Sequence, residues 1–323
     1  MVILLAAAAA AFAASPELVS VKRIWAEAPH SAFGDLIRFD NQWFAVFREG
    51  KRHVASTSVF PDDGRLRVIV SPDGDVWQPA ALVAEDGVDL RDPHFSITPD
   101  GRLMIVAGGS LYPNGEFKGR RPRVVFSKDG RRWTAPKAVL EEGEWLWRVS
   151  WHKGTAYGIS KIGDRDDRYA WLVSSRDGVK WDRVTKFGIP GIDESAARFL
   201  KDDTMVILGR DEVGDRRAYI GSSRPPYRNW QWNKADYRIG GPNFIVLPDG
   251  SMWAGGRQYA EGGARTFFGP MDLKGYRQSL TLPSGGDNSY PGFVWHDGMV
   301  WMLYYSSHEE KTAIYLAKIK VGK

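Results

Sequence analysis

The chain has 323 residues, 43% hydrophobic and 26% charged, with a net charge of +5, and it reads as globular and soluble. It contains no cysteine, which excludes disulfides and thiol chemistry but not secretion. Fourteen tryptophans within a 13% aromatic content suit repeats that plug turns with indole rings, or sites that stack on sugars. The small positive excess would serve an acidic ligand or simply solubility.

Residues 1–14 form an apolar, alanine-rich run ending in Ala11-Phe12-Ala13, a small-x-small cleavage pattern. The run is shorter than the roughly 20 apolar residues a membrane-spanning helix needs. It reads as a signal peptide, so export to the periplasm or medium is expected, with no membrane span in the mature chain. No Lys or Arg precedes the run, and an uncleaved apolar stub with no export role is the other reading.

From there on the chain repeats itself. Pairs of short apolar runs flank tight turns, beginning with Leu36–Phe39 and Trp43–Phe47 and ending with Phe293–Trp295 and Val300–Tyr304. Four more pairs lie between, with turns near Asp100-Gly101, Lys153-Gly154, Asp202-Asp203 and Asp249-Gly250. Their β-branched and aromatic content predicts buried two-stranded hairpins. A second motif, Ser-x-Asp-Gly-x-x-Trp, occurs at Ser71–Trp77, Ser127–Trp133 and Ser175–Trp181, starting 56 and then 48 residues apart. Asp-Gly supplies the positive φ of a tight turn, and the Ser and Asp side chains bond nearby backbone N–H groups. Ser222–Trp230 is a worn fourth version.

Six units of about 50 residues predict an all-β, six-bladed β-propeller as one domain over residues 15–323. In each blade the apolar hairpin would be the inner pair of strands and the Ser-x-Asp-Gly turn would join the outer pair. The sixth unit supplies only three strands, so Leu18–Ile24 is expected to provide the fourth and close the ring.

Polar residues at the ends of inner hairpins would point into a central pocket. These are Arg48, Arg91, Asp92, Arg148, Glu194, Arg210, Arg257 and Tyr290, a cluster rich in arginines that fork onto a carboxylate. The six histidines lack metal-ligand spacing, so no metal site is expected, and no phosphate-binding glycine loop or other cofactor motif is present. Ser284-Gly285-Gly286-Asp287 reads as a loop at the pocket rim. Basic residues are scattered rather than interleaved with aromatics in a strip, against nucleic acid as a partner. A monomer is expected.

The Ser-x-Asp-Gly-x-x-Trp turn resembles the Asp-box, or BNR repeat, of the sialidase (neuraminidase) superfamily, whose fold is a six-bladed propeller. Glu194–Leu200 followed by Ile207–Arg210 resembles that family's Glu-and-Arg hairpin. Ser289–Val294 resembles the segment carrying its nucleophilic tyrosine, and Arg91-Asp92-Pro93 a substrate-contacting Asp-Pro. Arg257 falls 33 residues before Tyr290, where a carboxylate-binding arginine is expected. The resemblance implies an exo-glycosidase for a terminal acidic sugar, with Tyr290 as nucleophile, Glu194 as its base, and Arg210 with Arg257 as clamp. A carboxylate nucleophile would be repelled by a sugar acid, and sialidases use tyrosine instead.

The family's acid lies in the loop after the first hairpin, here Gly50–Arg67; Asp63 is the first choice, with Asp62 and His53 as alternatives. Where the family has an Arg in Phe-Arg-Ile-Pro, this chain reads Ala32–Ile37 with Asp35, leaving Arg48 as the replacement. Two other functions fit the same frame: a propeller glycosidase or lyase on a different glycan, and a propeller that binds glycans and cuts nothing.

Overall fold

A computed structural model describes residues 15–54, 64–112, 116–163 and 167–322 of the chain. The described residues form six antiparallel sheets in a ring. Blade I is built from His30–Phe39, Gln42–Gly50, Arg65–Ser71 and Gln78–Val83, and blade II from Val88–Ile97, Leu103–Leu111, Arg123–Ser127 and Lys137–Ala138. In blade II the short strand Gly119–Arg120 also pairs with the second strand. Blade III runs Trp145–His152, Thr155–Ile162, Tyr169–Ser175 and Asp182–Lys186. Blade IV runs Ile192–Phe199, Met205–Asp211, Arg217–Ser223 and Gln231–Arg238. Blade V runs Gly240–Val246, Met252–Ala260, Gly263–Met271 and Leu280–Thr281. Blade VI runs Asn288–His296, Met299–Ser306 and Ala313–Lys320, and its outer strand is Glu17–Trp25 from the other end of the sequence. The expected closure of the ring is therefore present, and it leaves no edge of blade VI unpaired on that side.

The buried apolar side chains among the described residues fall into six clusters, one at each seam between neighbouring blades. Phe44, Val46 and Val68 of blade I, for example, pack with Leu90, Leu103 and Ile105 of blade II. Each blade is thus held by burial against its neighbours on both faces, so both faces of the strands carry apolar residues.

The three Ser-x-Asp-Gly-x-x-Trp turns are superimposable in their bonding. The Ser hydroxyl accepts the Gly N–H at 2.8 Å in all three. One Asp oxygen accepts the N–H groups of the residues two and three further on, and the indole N–H donates to the Gly carbonyl at 3.0 to 3.2 Å. Each glycine also abuts the second strand of the preceding blade. A Cβ on Gly74 would stand 2.4 Å from Trp301, one on Gly130 2.3 Å from Phe44, and one on Gly178 3.0 Å from Met104. In blade IV Tyr227 takes the glycine's place at φ 60°, and Trp230 still donates to its carbonyl at 3.0 Å. Its ring packs edge-on to Tyr157 of blade III, so the seam contact is kept with a side chain where the other blades use none.

The inner strands are longer than their apolar runs suggest. The sequence marks Phe95–Ile97 and Phe293–Trp295, whereas the strands begin at Val88 and Asn288. The extra residues include Asp89, Arg91, Asp92, His94, Asn288 and Tyr290 among a few apolar ones, and most of them are buried; hydrophobic periodicity does not report them.

Candidate functional site

All six inner strands slip out of register with their second strands at one level. The breaks fall between Ala32 and Asp35, Arg91 and His94, Leu146 and Val149, Ile192 and Ser195, Gly240 and Asn243, and Ser289 and Gly292. Two residues oppose one at each break, the condition under which a bulge re-aims a side chain. The residues so displaced are Phe33-Gly34, Asp92-Pro93, Trp147-Arg148, Asp193-Glu194, Gly241-Pro242 and Tyr290-Pro291. Four of them have positive φ: Phe33 at 58°, Asp92 at 51°, Gly241 at 54° and Tyr290 at 48°. For a side chain other than glycine this conformation costs on the order of 1–3 kcal/mol, and such strain concentrates at functional sites. Proline follows Asp92, Gly241 and Tyr290, where the ladder has no N–H bond to lose.

Tyr290 and Glu194, 96 residues apart in sequence, meet at the axis. The Tyr290 hydroxyl donates to Glu194 Oε1 at 2.6 Å. The other oxygen, Oε2, accepts from Arg210 Nη1 at 2.8 Å and from the Gly241 N–H at 2.9 Å. Arg210 also pairs with Glu212. Burial, and then the Glu194 charge, hold the Tyr290 phenol well above its ordinary pKa, so at rest the phenol keeps its proton and Glu194 is the group placed to remove it. The ring is fixed on several sides by Trp147, Phe33 and Tyr305, with centroids 5.3, 5.3 and 5.8 Å away. Gly241 approaches so closely that a Cβ there would lie 1.6 Å from the phenol ring.

A cleft of about 410 Å³ opens over this pair, lined by Arg91, Asp92, Lys161, Glu194 and Tyr290, with Tyr112 and Trp145 as walls. Lys161 and Arg168 both pair with the bulge residue Asp193, at 2.5 and 2.8 Å. Arg91 stands 3.5 Å from Asp92 Oδ2 and lies over the Phe33 ring. Asp92 Oδ1 is buried without a hydrogen bond among the described residues. Burial pushes the Asp92 carboxyl up to about 6 against the pull of Arg91, with the Glu194 charge adding to the rise. The cleft therefore holds a neutral phenol, a base, a carboxyl able to carry a proton near neutrality, and three cations, Arg91, Arg120 and Lys161.

Other residues marked from the sequence are placed differently. Arg48 is 0% exposed and forks onto Asp89, with Nε to Oδ1 at 2.7 Å and Nη2 to Oδ2 at 3.2 Å. Its third contact is the Arg52 carbonyl, so its guanidinium anchors the blade I–II seam and does not line the cleft. Arg148 pairs with Asp35 at 3.0 Å and donates to the Pro291 carbonyl at 2.8 Å. Asp35 accepts the Phe95 N–H, Asn243 donates to the same Pro291 carbonyl, and Arg198 donates to Asn243. That chain of bonds takes one residue from each of the six blades, and it holds the tyrosine's bulge from below. Asp35 is thus the partner of Arg148 at the axis, in place of an arginine facing substrate.

Arg257 lies 5.9 Å from the Tyr290 ring, but its Nε and one Nη are engaged by the Asn288 carbonyl, Asp287 and the Tyr305 hydroxyl. His53 sits 2.5 Å from Asp287 Oδ2. Asp62 and Asp63 lie outside the described residues, as does the 1–14 segment. Lys161 and Asp193 carry no signal in the sequence, and Asp287 is legible only as part of a glycine loop at the pocket rim. Lys161 lies near the end of an apolar strand, and its position is not distinguishable without the register.

Comparison with known proteins bears on the fold. No family model matches the sequence, and no curated protein does. Among solved structures, a protein of unknown function from Dyadobacter fermentans superposes with a TM-score of 0.81 at 18% identity, covering 95% of this chain and 99% of that one. The Trypanosoma rangeli sialidase in complex with the inhibitor DANA gives 0.70 at 12% identity over 90% of this chain and 55% of the sialidase. A mutant α-L-arabinofuranosidase from Fusarium graminearum, in complex with an iminosugar inhibitor, gives 0.69 at 12% identity, covering 93% and 98%. The fold is that of the sialidase propellers. At these identities the likeness carries architecture and leaves the chemistry to the residues.

Proposed function

We propose that the protein is an exported glycoside hydrolase that releases a terminal acidic sugar with retention of configuration. The observation that carries this reading is the 2.6 Å contact between the Tyr290 hydroxyl and Glu194, at two bulges of different blades that hold them under an open cleft. Glu194 takes the phenolic proton as the Tyr290 oxygen bonds to the anomeric carbon, and the glycosidic bond breaks with its electrons leaving on the aglycone oxygen. Asp92 supplies the proton to that oxygen. Water then displaces Tyr290 from the sugar, giving up a proton to Asp92 and so restoring it, while the departing Tyr290 oxygen takes its own proton back from Glu194. A neutral phenol is suited to a sugar whose carboxylate would repel an anionic nucleophile. Arg91, Lys161 and Arg210 supply positive potential around the same cleft.

A second reading, cleavage of a glycoside that carries no carboxylate, draws on two observations: Arg48 is buried in its pair with Asp89, and Arg257 is engaged by Asp287. A panel of fluorogenic aryl glycosides on the purified protein separates the two. Turnover of a sialoside or another sugar-acid glycoside, and not of an arabinofuranoside, is the expected result. Turnover of neutral glycosides alone selects the second reading, and binding without cleavage removes both.

A further inference from the structure

We propose that His30, His53 and Asp287 form a binding site for one divalent transition-metal ion at the seam between blades VI and I. The three come from distant parts of the chain. His30 opens the inner strand of blade I, His53 follows its second strand, and Asp287 immediately precedes the inner strand of blade VI. Their potential donor atoms all lie within 4.8 Å of one another. His53 Nδ1 is 2.5 Å and His30 Nε2 is 3.4 Å from the same oxygen, Asp287 Oδ2.

His30 is the second, independent observation. It is 6% exposed, and neither ring nitrogen makes a hydrogen bond among the described residues. A buried imidazole whose Nδ1 has no partner and whose Nε2 has only a long, 3.4 Å approach to Asp287 Oδ2 is costly, and that Nε2 is turned toward the carboxylate that His53 also meets. An ion between the three groups would satisfy it. Asp287 is prepared as such a ligand: Oδ1 accepts from Arg257 at 3.0 Å and from the Tyr305 hydroxyl at 2.8 Å, which fixes the carboxylate plane with Oδ2 toward the histidines. Two imidazoles and one carboxylate select zinc, cobalt, nickel or iron over calcium or magnesium. With ligand bonds of about 2.0–2.2 Å, His53 and Asp287 need to part by about 1 Å. The His53 side chain is 48% exposed, so that movement is open to it. The ion would tie blade VI to the residues after the second strand of blade I, whose Val54 lies in the wall of the cleft. This inference does not depend on the glycosidase reading.

The test uses the full chain, stripped of metal by chelation and titrated with Co²⁺ and then Zn²⁺. One equivalent of Co²⁺ with visible d–d absorption is expected, displaced by Zn²⁺, with a rise in melting temperature on saturation. His53→Ala, at a position with a half-exposed side chain, should weaken binding at least about tenfold and remove that rise; His30→Ala and Asp287→Asn should do the same. No Co²⁺ spectrum and no Zn²⁺-dependent melting shift in the wild type would overturn the proposal. So would binding that survives His53→Ala unchanged, which would leave a plain His53–Asp287 hydrogen bond beside a buried neutral His30.

Discussion

The outer turns and the inner bulges are both repeated around the ring, but they repeat different things. At the turns the residues recur: Ser, Asp, Gly and Trp make the same bonds in blades I, II and III. At the bulges only the backbone recurs, and six equivalent breaks in register carry Phe33, Asp92, Trp147, Asp193, Gly241 and Tyr290 with their neighbours. A turn has one task, to close a hairpin and seat it on the next blade, and one set of side chains does it best. A bulge offers a position at the axis and leaves the side chain free to differ. The candidate site is therefore built where the frame repeats without its residues.

The two regions should respond to substitution in opposite ways. Glu194→Gln removes the base while keeping the shape, and should lower turnover of whatever glycoside is cleaved by about 10²–10⁴-fold at near-unchanged melting temperature. The same change of glycine to alanine can then be made at both levels. Gly241→Ala puts a methyl group 1.6 Å from the Tyr290 ring at φ 54°, and should cost about 10²-fold or more in turnover by displacing the phenol. Gly130→Ala puts one 2.3 Å from Phe44 at φ 71°, and should cost about 1–3 kcal/mol of stability with turnover per folded molecule unchanged. Equal losses of activity in the two variants would erase the distinction.

The pH responses divide in the same way. Asp92 is raised to about 6 by burial, so it is protonated below that value and loses its proton above it. Turnover of glycosides with poor leaving groups should fall as pH rises past about 6, and Asp92→Asn should remove that limb while sparing activated aryl substrates. Comparison with Asp63→Asn on the same substrates tests which of the two carboxyls gives up the proton. At the rim, the N–H groups of Asp75 and Val76 and the Ser71 hydroxyl bring Asp73 down to about 2. A lowered folded pKa stabilises above the unfolded value and loses that contribution as pH falls toward the folded one. Asp73→Asn should give a small drop in melting temperature at neutral pH that disappears as the pH approaches about 2, with no change in turnover.

Legibility in the sequence follows the same division. The turns announce themselves because their chemistry is local, and counting with their period finds six blades and the displaced outer strand of blade VI. Tyr290, Glu194 and Arg210 are legible by resemblance, since no periodicity links residues 96 apart. Arg48 and Arg148 look like pocket residues because each is a charge at the end of an apolar hairpin. Here each is buried against a carboxylate from another blade, Asp89 and Asp35, which only the closed ring supplies. His30 and His53 are hidden for the same reason, their common partner being over 200 residues away in the chain.

The most direct test of the central claim is chemical. A 2-fluoro or 2,3-difluoro analogue of the cleaved sugar, bearing an activated leaving group, should add one glycosyl mass to the protein. Peptide mapping should place that mass on Tyr290, and Tyr290→Phe should neither be labelled nor turn over substrate while melting near wild type. Label on another residue, or turnover that survives Tyr290→Phe, would contradict the assignment of the axis tyrosine as nucleophile.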